Sequence, residues 1–299
     1  MTSPDLQRPA STRLGRCALT VSDESTVIEF YREVIGLEVV NRDPAVLGVD
    51  GTPLLEIDAE PDASPRDEAS AGLFHVAIRV PSDAALADVL ARIRDHWTLS
   101  GASDHGVSKA LYCRDPEGNG VEVYVDRPES EWPREDDGSL QIGSWPLDLE
   151  ELEEAKRPTA EADGPSAAPA ETVPPDTTVG HVHLEVSSLE ESRAFYADAL
   201  GFDVMDTAPS AVFLAAGGYH HHIGINTWNR RSNPRSPDEQ GLAWFELVVP
   251  SSEALEEIRT RLEADGHAVD ERGDGIAVSD PDGTIVRLVT ESESGTRPF

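Results

Sequence analysis

At 299 residues the chain is long enough for two domains with separate cores. Its 57 acidic residues against 24 basic ones leave a net charge of −33, spread along the whole length, which excludes nucleic acid and anionic membrane surfaces as partners. Dispersed acidity with few lysines keeps a protein hydrated and its self-repulsion screened in concentrated salt, so the composition predicts a halophilic cytosol.

The first stretch, MTSPDLQRPASTRLGR, has no apolar signal-like core, and no apolar run approaches a membrane span. The two cysteines, Cys17 and Cys113, fall far apart in strand-like runs, which speaks against a disulfide framework or a thiolate metal site and for a reducing, cytoplasmic setting. From Gly15 the run GRCALTV alternates as a half-buried strand. Ser22 or Asp23 then offers an N-cap to an amphipathic helix that ends at Gly36. The pattern returns at Phe74 as FHVAIRV with Ser82 or Asp83 as cap, at Gly180 as GHVHLEV with Ser187 or Ser188, and at Ala243 as AWFELVV with Ser251 or Ser252.

The first and third helices share a Phe-Tyr pair followed by a C-capping glycine, Gly36 and Gly201. The second and fourth units both close on an Asp-Pro-acid-Gly turn between strands, in YCRDPEGNGVEVYV and AVSDPDGTIVRLVT. The chain therefore reads as four βαβββ modules over about residues 13–58, 72–127, 178–229 and 240–291. This predicts an α+β protein whose modules pair into two curled-sheet, half-barrel clefts with the helices outside. Modules 1 and 2 make a first domain over 13–128, and modules 3 and 4 a second over 178–291. A linker spans 129–177; its second part is rich in Pro, Ala and acid, while Trp132, Trp145 and Leu147 in its first part should pack back on the preceding domain.

This repeat order, with GASDHGVSKALYCRDPEGNGVEVYVDRP and GGYHHHIGINTW, resembles the vicinal oxygen chelate superfamily, and over nearly the whole chain its catechol-2,3-dioxygenase branch of ring-cleaving enzymes. The resemblance implies a metal on the concave face of a curled sheet, held by a His from a module's first strand and a Glu from its last. Strand parity agrees: if Val76, Ile78 and Val80 pack on the helix, His75 faces the cleft, and by the same count Glu122, His181, His183 and Glu185 do so. The matching positions hold Arg16 in module 1 and Trp244 and Arg287 in module 4. The metal set is then His75, Glu122 and His181, the composition of a facial triad for Fe(II), with Mn(II) also compatible. For these to meet, module 2 must pair with module 3, and module 1 with module 4.

The same resemblance implies that His105 and Tyr112 lie near the catecholate oxygens. Within the run His220-His221-His222 the family pattern selects His221 as the group near bound oxygen and leaves His222 second, whereas simple alternation from Ile223 and Ile225 turns His220 and His222 to the cleft. Glycines 217 and 218 permit a kink that reconciles the two. Phe213, Asn226 and Trp228 are further pocket candidates, and His183 a neighbour of the metal ligands. The implied activity is extradiol cleavage of catechol or a substituted catechol, with the small aromatic diol and dioxygen as partners and room for self-association. The alternatives are a glyoxalase-type lyase or isomerase, which asks for a second Glu where module 3 offers the histidine run, and a non-catalytic small-molecule binder of the same fold.

Overall fold

The computed structural model describes residues 11–136, 138–155, 170–273 and 275–291; residues 156–169, in the Pro- and Ala-rich part of the predicted linker, lie outside the described residues. Four segments fold as strand, helix and three strands. The first holds β1 (Arg13–Val21), α1 (Glu24–Phe30), β2 (Glu38–Arg42), β3 (Ala45–Val49) and β4 (Thr52–Ala59). The second holds β5 (Gly72–Arg79), α2 (Asp83–His96), β6 (Gly101–Asp104), β7 (Ser108–Arg114) and β8 (Gly120–Asp126). Two short elements follow, β9 (Trp145–Pro146) and α3 (Leu149–Glu154). The third segment holds β10 (Thr178–Glu185), α4 (Leu189–Arg193), β11 (Asp203–Ala208), β12 (Ala211–Ala215) and β13 (Ile223–Asn226). The fourth holds β14 (Gly241–Val249), α5 (Ser252–Ala264), β15 (Val269–Arg272), β16 (Gly275–Ser279) and β17 (Ile285–Thr290). Among the described residues no helix is long and apolar enough to cross a membrane.

The helices start where short polar side chains meet free N–H groups. Asp23, Ser82, Ser188 and Ser251 each accept from a backbone N–H of the first turn. α1 and α4 run on into π-helical turns over Tyr31–Ile35 and Ala194–Ala199, which the apolar spacing did not announce. The Gly36 N–H closes the first of these on the Tyr31 carbonyl at 3.0 Å, and its φ of 93° explains why glycine stands there.

The strands form two curled sheets that join modules from opposite halves of the chain. One runs β11-β12-β13-β10-β5-β8-β7-β6-β9 and unites modules 2 and 3; the other runs β15-β16-β17-β14-β1-β4-β3-β2 and unites modules 1 and 4. In each module the first strand lies parallel to the last, and the seams between modules, β5 with β10 and β1 with β14, are antiparallel. Val76, Ile78, Val121, Val123, Val182 and Leu184 point into the core that the sheets share with the helices. Alternation therefore turns His75, Ala77, Glu122, Tyr124, Asp126, His181 and His183 to the opposite, concave face.

The concave face of the other sheet is filled by charge. Arg16 lies 2.7 Å from Glu246 and 3.7 Å from Glu56, and Arg287 sits 3.6 Å above the Trp244 ring. Glu56 pairs with Ala18 as Glu122 pairs with Ala77, so module 1 does carry a carboxylate at the position of Glu122, and the Arg16 guanidinium supplies the cation beside it.

Candidate metal centre and active site

The register of three strands gathers the candidate ligands. Ala77 of β5 is opposite His181 of β10 on one side and Glu122 of β8 on the other, while His75 follows two residues along on the same face. The His75 Nε2 and Glu122 Oε2 atoms are 2.9 Å apart, His181 Nε2 and Glu122 Oε2 3.2 Å, and the two imidazole nitrogens 3.3 Å. These are the separations of three mutually cis ligands about 2.1 Å from a common centre, so the donor set fits a divalent cation. All three residues are buried. Burial would raise the Glu122 carboxyl, but the His181 and His75 imidazoles hold it well below the ordinary carboxylate range. Burial pushes His181 down to about 4. Glu122 is thus ionised and His181 neutral at neutral pH, as a divalent cation requires of such ligands.

Small residues make the approach possible. A Cβ on Gly180 would lie 1.8 Å from the Tyr124 hydroxyl oxygen, and one on Gly224 2.9 Å from the His183 ring. In module 3, Gly224 pairs with His183 as Glu122 pairs with Ala77 in module 2. The counterpart of the carboxylate ligand is therefore a glycine, and not a member of the histidine run.

A cavity of about 430 Å³ opens over His75 and Glu122 and is bordered also by Tyr112, His105 and His221, with His181 behind the lining against the His221 ring. Its walls are largely aromatic and aliphatic: Phe74, Phe213, Trp228, Val107 and Ile142. His183 belongs to this wall, with its ring 5.2 Å from Phe74, 5.0 Å from Trp228 and 5.7 Å from Phe213; burial drives its pKa well below the usual imidazole value and keeps it uncharged. Trp228 is half exposed and stands at the mouth. Asn226 lies outside the cavity lining, where its side-chain amide donates to the Leu184 carbonyl and its oxygen accepts from the Trp228 N–H.

His105 and Tyr112 sit together at one end. The Gly143 carbonyl can only accept, so at 2.6 Å it takes the His105 Nδ1–H; a neutral His105 then accepts the Tyr112 O–H at Nε2, 2.7 Å away. Burial, reinforced by the Glu122 charge, raises the Tyr112 hydroxyl well above its ordinary value, so it stays protonated. Gly143 belongs to the stretch read as linker, which also contributes Ile142 and Ser144 to the cavity and β9 to the edge of the sheet. Trp132 is buried against Val107 and Leu140, and its role in the site was not legible from the sequence.

The histidine run is not part of a strand, because β13 begins at Ile223. Gly217 and Gly218 have φ of 67° and 82°, and the kink they allow sends the three rings different ways. His221 lines the cavity, with its ring 4.1 Å from that of His181. His222 turns away from the lining: its Nδ1 accepts the Ala216 N–H at 3.2 Å and its ring packs 4.9 Å from Tyr219. His220 is wholly buried between Tyr219 and Trp132, with Nε2 2.9 Å from Asp126 Oδ1 and Nδ1 2.7 Å from His221 Nδ1. Strand parity places Tyr124 on the cleft face with Glu122, as the structure has it, whereas Asp126 and Tyr219 are not singled out by the sequence; Asp126 sits four residues after Glu122, and that even spacing is the available signal.

Known proteins resemble the chain over most of its length. The chain is 39% identical over 280 residues to the catechol-2,3-dioxygenase of Bacillus subtilis, an alignment covering 90% of this chain and 94% of that protein. It is 30% identical over 129 residues to biphenyl-2,3-diol 1,2-dioxygenase 3 of Rhodococcus globerulus, covering 38% of this chain and 63% of that one. Glyoxalase I from Zea mays superposes with a TM-score of 0.57 at 16% identity, over 94% of this chain and 93% of that one, a likeness of fold alone. Residues 13–123 and 178–288 match the Glyoxalase/Bleomycin resistance protein/Dioxygenase superfamily, and the chain belongs to that superfamily.

Proposed function

We propose that the protein is an Fe(II)-dependent extradiol ring-cleaving dioxygenase acting on catechol or a substituted catechol, with Mn(II) as the alternative metal. The observation that carries this reading is the buried His75, Glu122 and His181 set at cis-ligand spacing, beside a cavity that His75 and Glu122 line, with glycine where a fourth protein ligand would stand. The likeness to the Bacillus subtilis catechol-2,3-dioxygenase supports it. When bound, the metal supplies Lewis acidity and a meeting point for an electron-rich diol and dioxygen.

The chain's own residues do the rest. Phe74, Phe213, Trp228 and the uncharged His183 clamp an aromatic ring and keep water from the reacting face. The Tyr112 O–H stands beside Glu122 and, on turning from His105 Nε2, can donate instead to a diol oxygen as negative charge grows on it. His221, at the opposite side of the triad, takes a proton from the diol and returns it later in the reaction. A glyoxalase-type activity with a second carboxylate ligand is disfavoured by Gly224, and a purely non-catalytic binder by the intact donor set.

The test is oxygen uptake with a panel of catechols, Fe(II) and high salt, following the coloured ring-opened semialdehyde. Uptake by the wild type and none by His181→Ala is the expected result. Absence of uptake across the panel in protein that has been shown to hold stoichiometric iron would defeat the proposal.

A further inference from the structure

Behind His221 runs a buried polar chain that no metal ligand requires. Asp126, at the end of β8, faces Arg79 Nη1 at 3.4 Å, the Tyr219 O–H at 3.0 Å and His220 Nε2 at 2.9 Å; the Tyr124 hydroxyl lies 2.7 Å from that of Tyr219. The His220 and His221 Nδ1 atoms are 2.7 Å apart. Burial raises the Asp126 carboxyl, but the hydrogen bond from His220, the Arg79 charge and the Tyr219 O–H hold it below its ordinary value, so it is an ionised acceptor.

Hydrogen-bond direction then propagates. An ionised Asp126 can only accept, so a neutral His220 carries its one ring proton on Nε2 and leaves Nδ1 as a bare lone pair. Two nitrogens at 2.7 Å need a proton between them, and His221 must supply it from Nδ1. His221 Nε2, with no hydrogen-bond partner among the described residues, is left unprotonated. We propose that Asp126 and His220 are positioning residues that hold His221 as its Nδ1–H tautomer, so that Nε2 faces the cavity as a proton acceptor. The reading of the cavity as a diol site identifies the proton donor, a ring hydroxyl: its O–H bond breaks, an Nε2–H bond forms, and the pair of electrons stays on the diol oxygen. The resulting imidazolium is steadied through His220 by the Asp126 carboxylate.

Long-range proton–nitrogen NMR of the metal-free protein reads the tautomer directly. Wild-type His221 is expected to carry its proton on Nδ1. In Asp126→Asn, Arg79 keeps the amide oxygen, so the amide N–H turns to His220 Nε2, His220 donates from Nδ1, and the His221 proton moves to Nε2. Turnover in the iron-loaded variant should fall on the order of 10²-fold in kcat with KM little changed.

His220→Gln preserves the order, donating to Asp126 and accepting from His221, and so should keep the Nδ1–H form; His220→Leu breaks the order and should give a mixed population. A wild-type proton on Nε2, a tautomer unmoved by Asp126→Asn, or the same tautomer in both His220 variants overturns the proposal. These spectra need neither metal nor substrate, so they test the tautomer whether or not any diol is cleaved.

Discussion

Gly180 precedes a candidate ligand and leaves room for a buried hydroxyl, and that absence of a side chain is as specific a requirement as the imidazole beside it. An added methyl would lie 1.8 Å from the Tyr124 oxygen, and Tyr124 can retreat only at the expense of its 2.7 Å hydrogen bond to the Tyr219 hydroxyl. Gly180→Ala should therefore cost about 1–3 kcal/mol by overpacking. It should also weaken metal binding, because His181 moves with its neighbour. Thermal unfolding with and without Mn(II) checks both: the variant should melt lower, and Mn(II) should raise its midpoint less than that of the wild type. An unchanged midpoint and an unchanged metal response would show that the backbone can yield there. Ligand residue types and their parity were readable from the sequence because a strand's period of two is rigid. The direction of His221 was not, because it depends on two left-handed glycines that break that period.

At the scale of elements, the Asp-Pro turns do more than reverse the chain. Glu117, between β7 and β8, accepts the Ser22 N–H at 2.8 Å and the Asp23 N–H at 2.7 Å, capping the start of α1 from another module. Asp282 does the same for Ser187 before α4, accepting its N–H at 2.9 Å. Each carboxylate meets free donors and the positive end of a helix. Arg92 of α2 closes the other end of the first helical stretch, donating to the Val34 and Ile35 carbonyls. Glu117→Ala and Asp282→Ala should each lower stability by about 1 kcal/mol, a shift of roughly 2–4 °C in Tm. Calorimetry decides it, and a shift within error would mean that Ser22 and Ser187 find substitute acceptors. The turns themselves were legible in composition, since Asp, Pro and Gly have fixed places in them. Their partners were not, because nothing local records which helix end a turn will meet. The same limit explains Gly143 and Ile142: a stretch without strand or helix periodicity reads as linker, and only its register with β6 brings it to the cavity.

Across the whole molecule, one cleft holds its charge with two arginines and the other is built for a metal. Arg16 and Arg287 together balance Glu56 and Glu246 on one concave face from within, whereas Glu122 faces two imidazoles. Neither arrangement addresses the net charge of −33, which lies mostly on the outside and repels itself. The Debye length is about 10 Å at 0.1 M salt and about 3 Å at 1 M, so neighbouring surface carboxylates cease to feel one another only in concentrated salt. Partly buried pairs such as Arg66 with Glu185, 2.7 Å apart, are screened much less and persist through that range. Self-repulsion should therefore relax faster than the internal pairs weaken, and the melting temperature should climb as chloride rises from about 0.1 to about 1 M. Potassium and sodium chloride should act alike if screening is the cause, whereas sulfate should add a further increment by strengthening apolar burial. A melting temperature that is flat or falls over the chloride series would mean that the acidic surface is tolerated without salt, and the inference of a salt-adapted protein would fail with it.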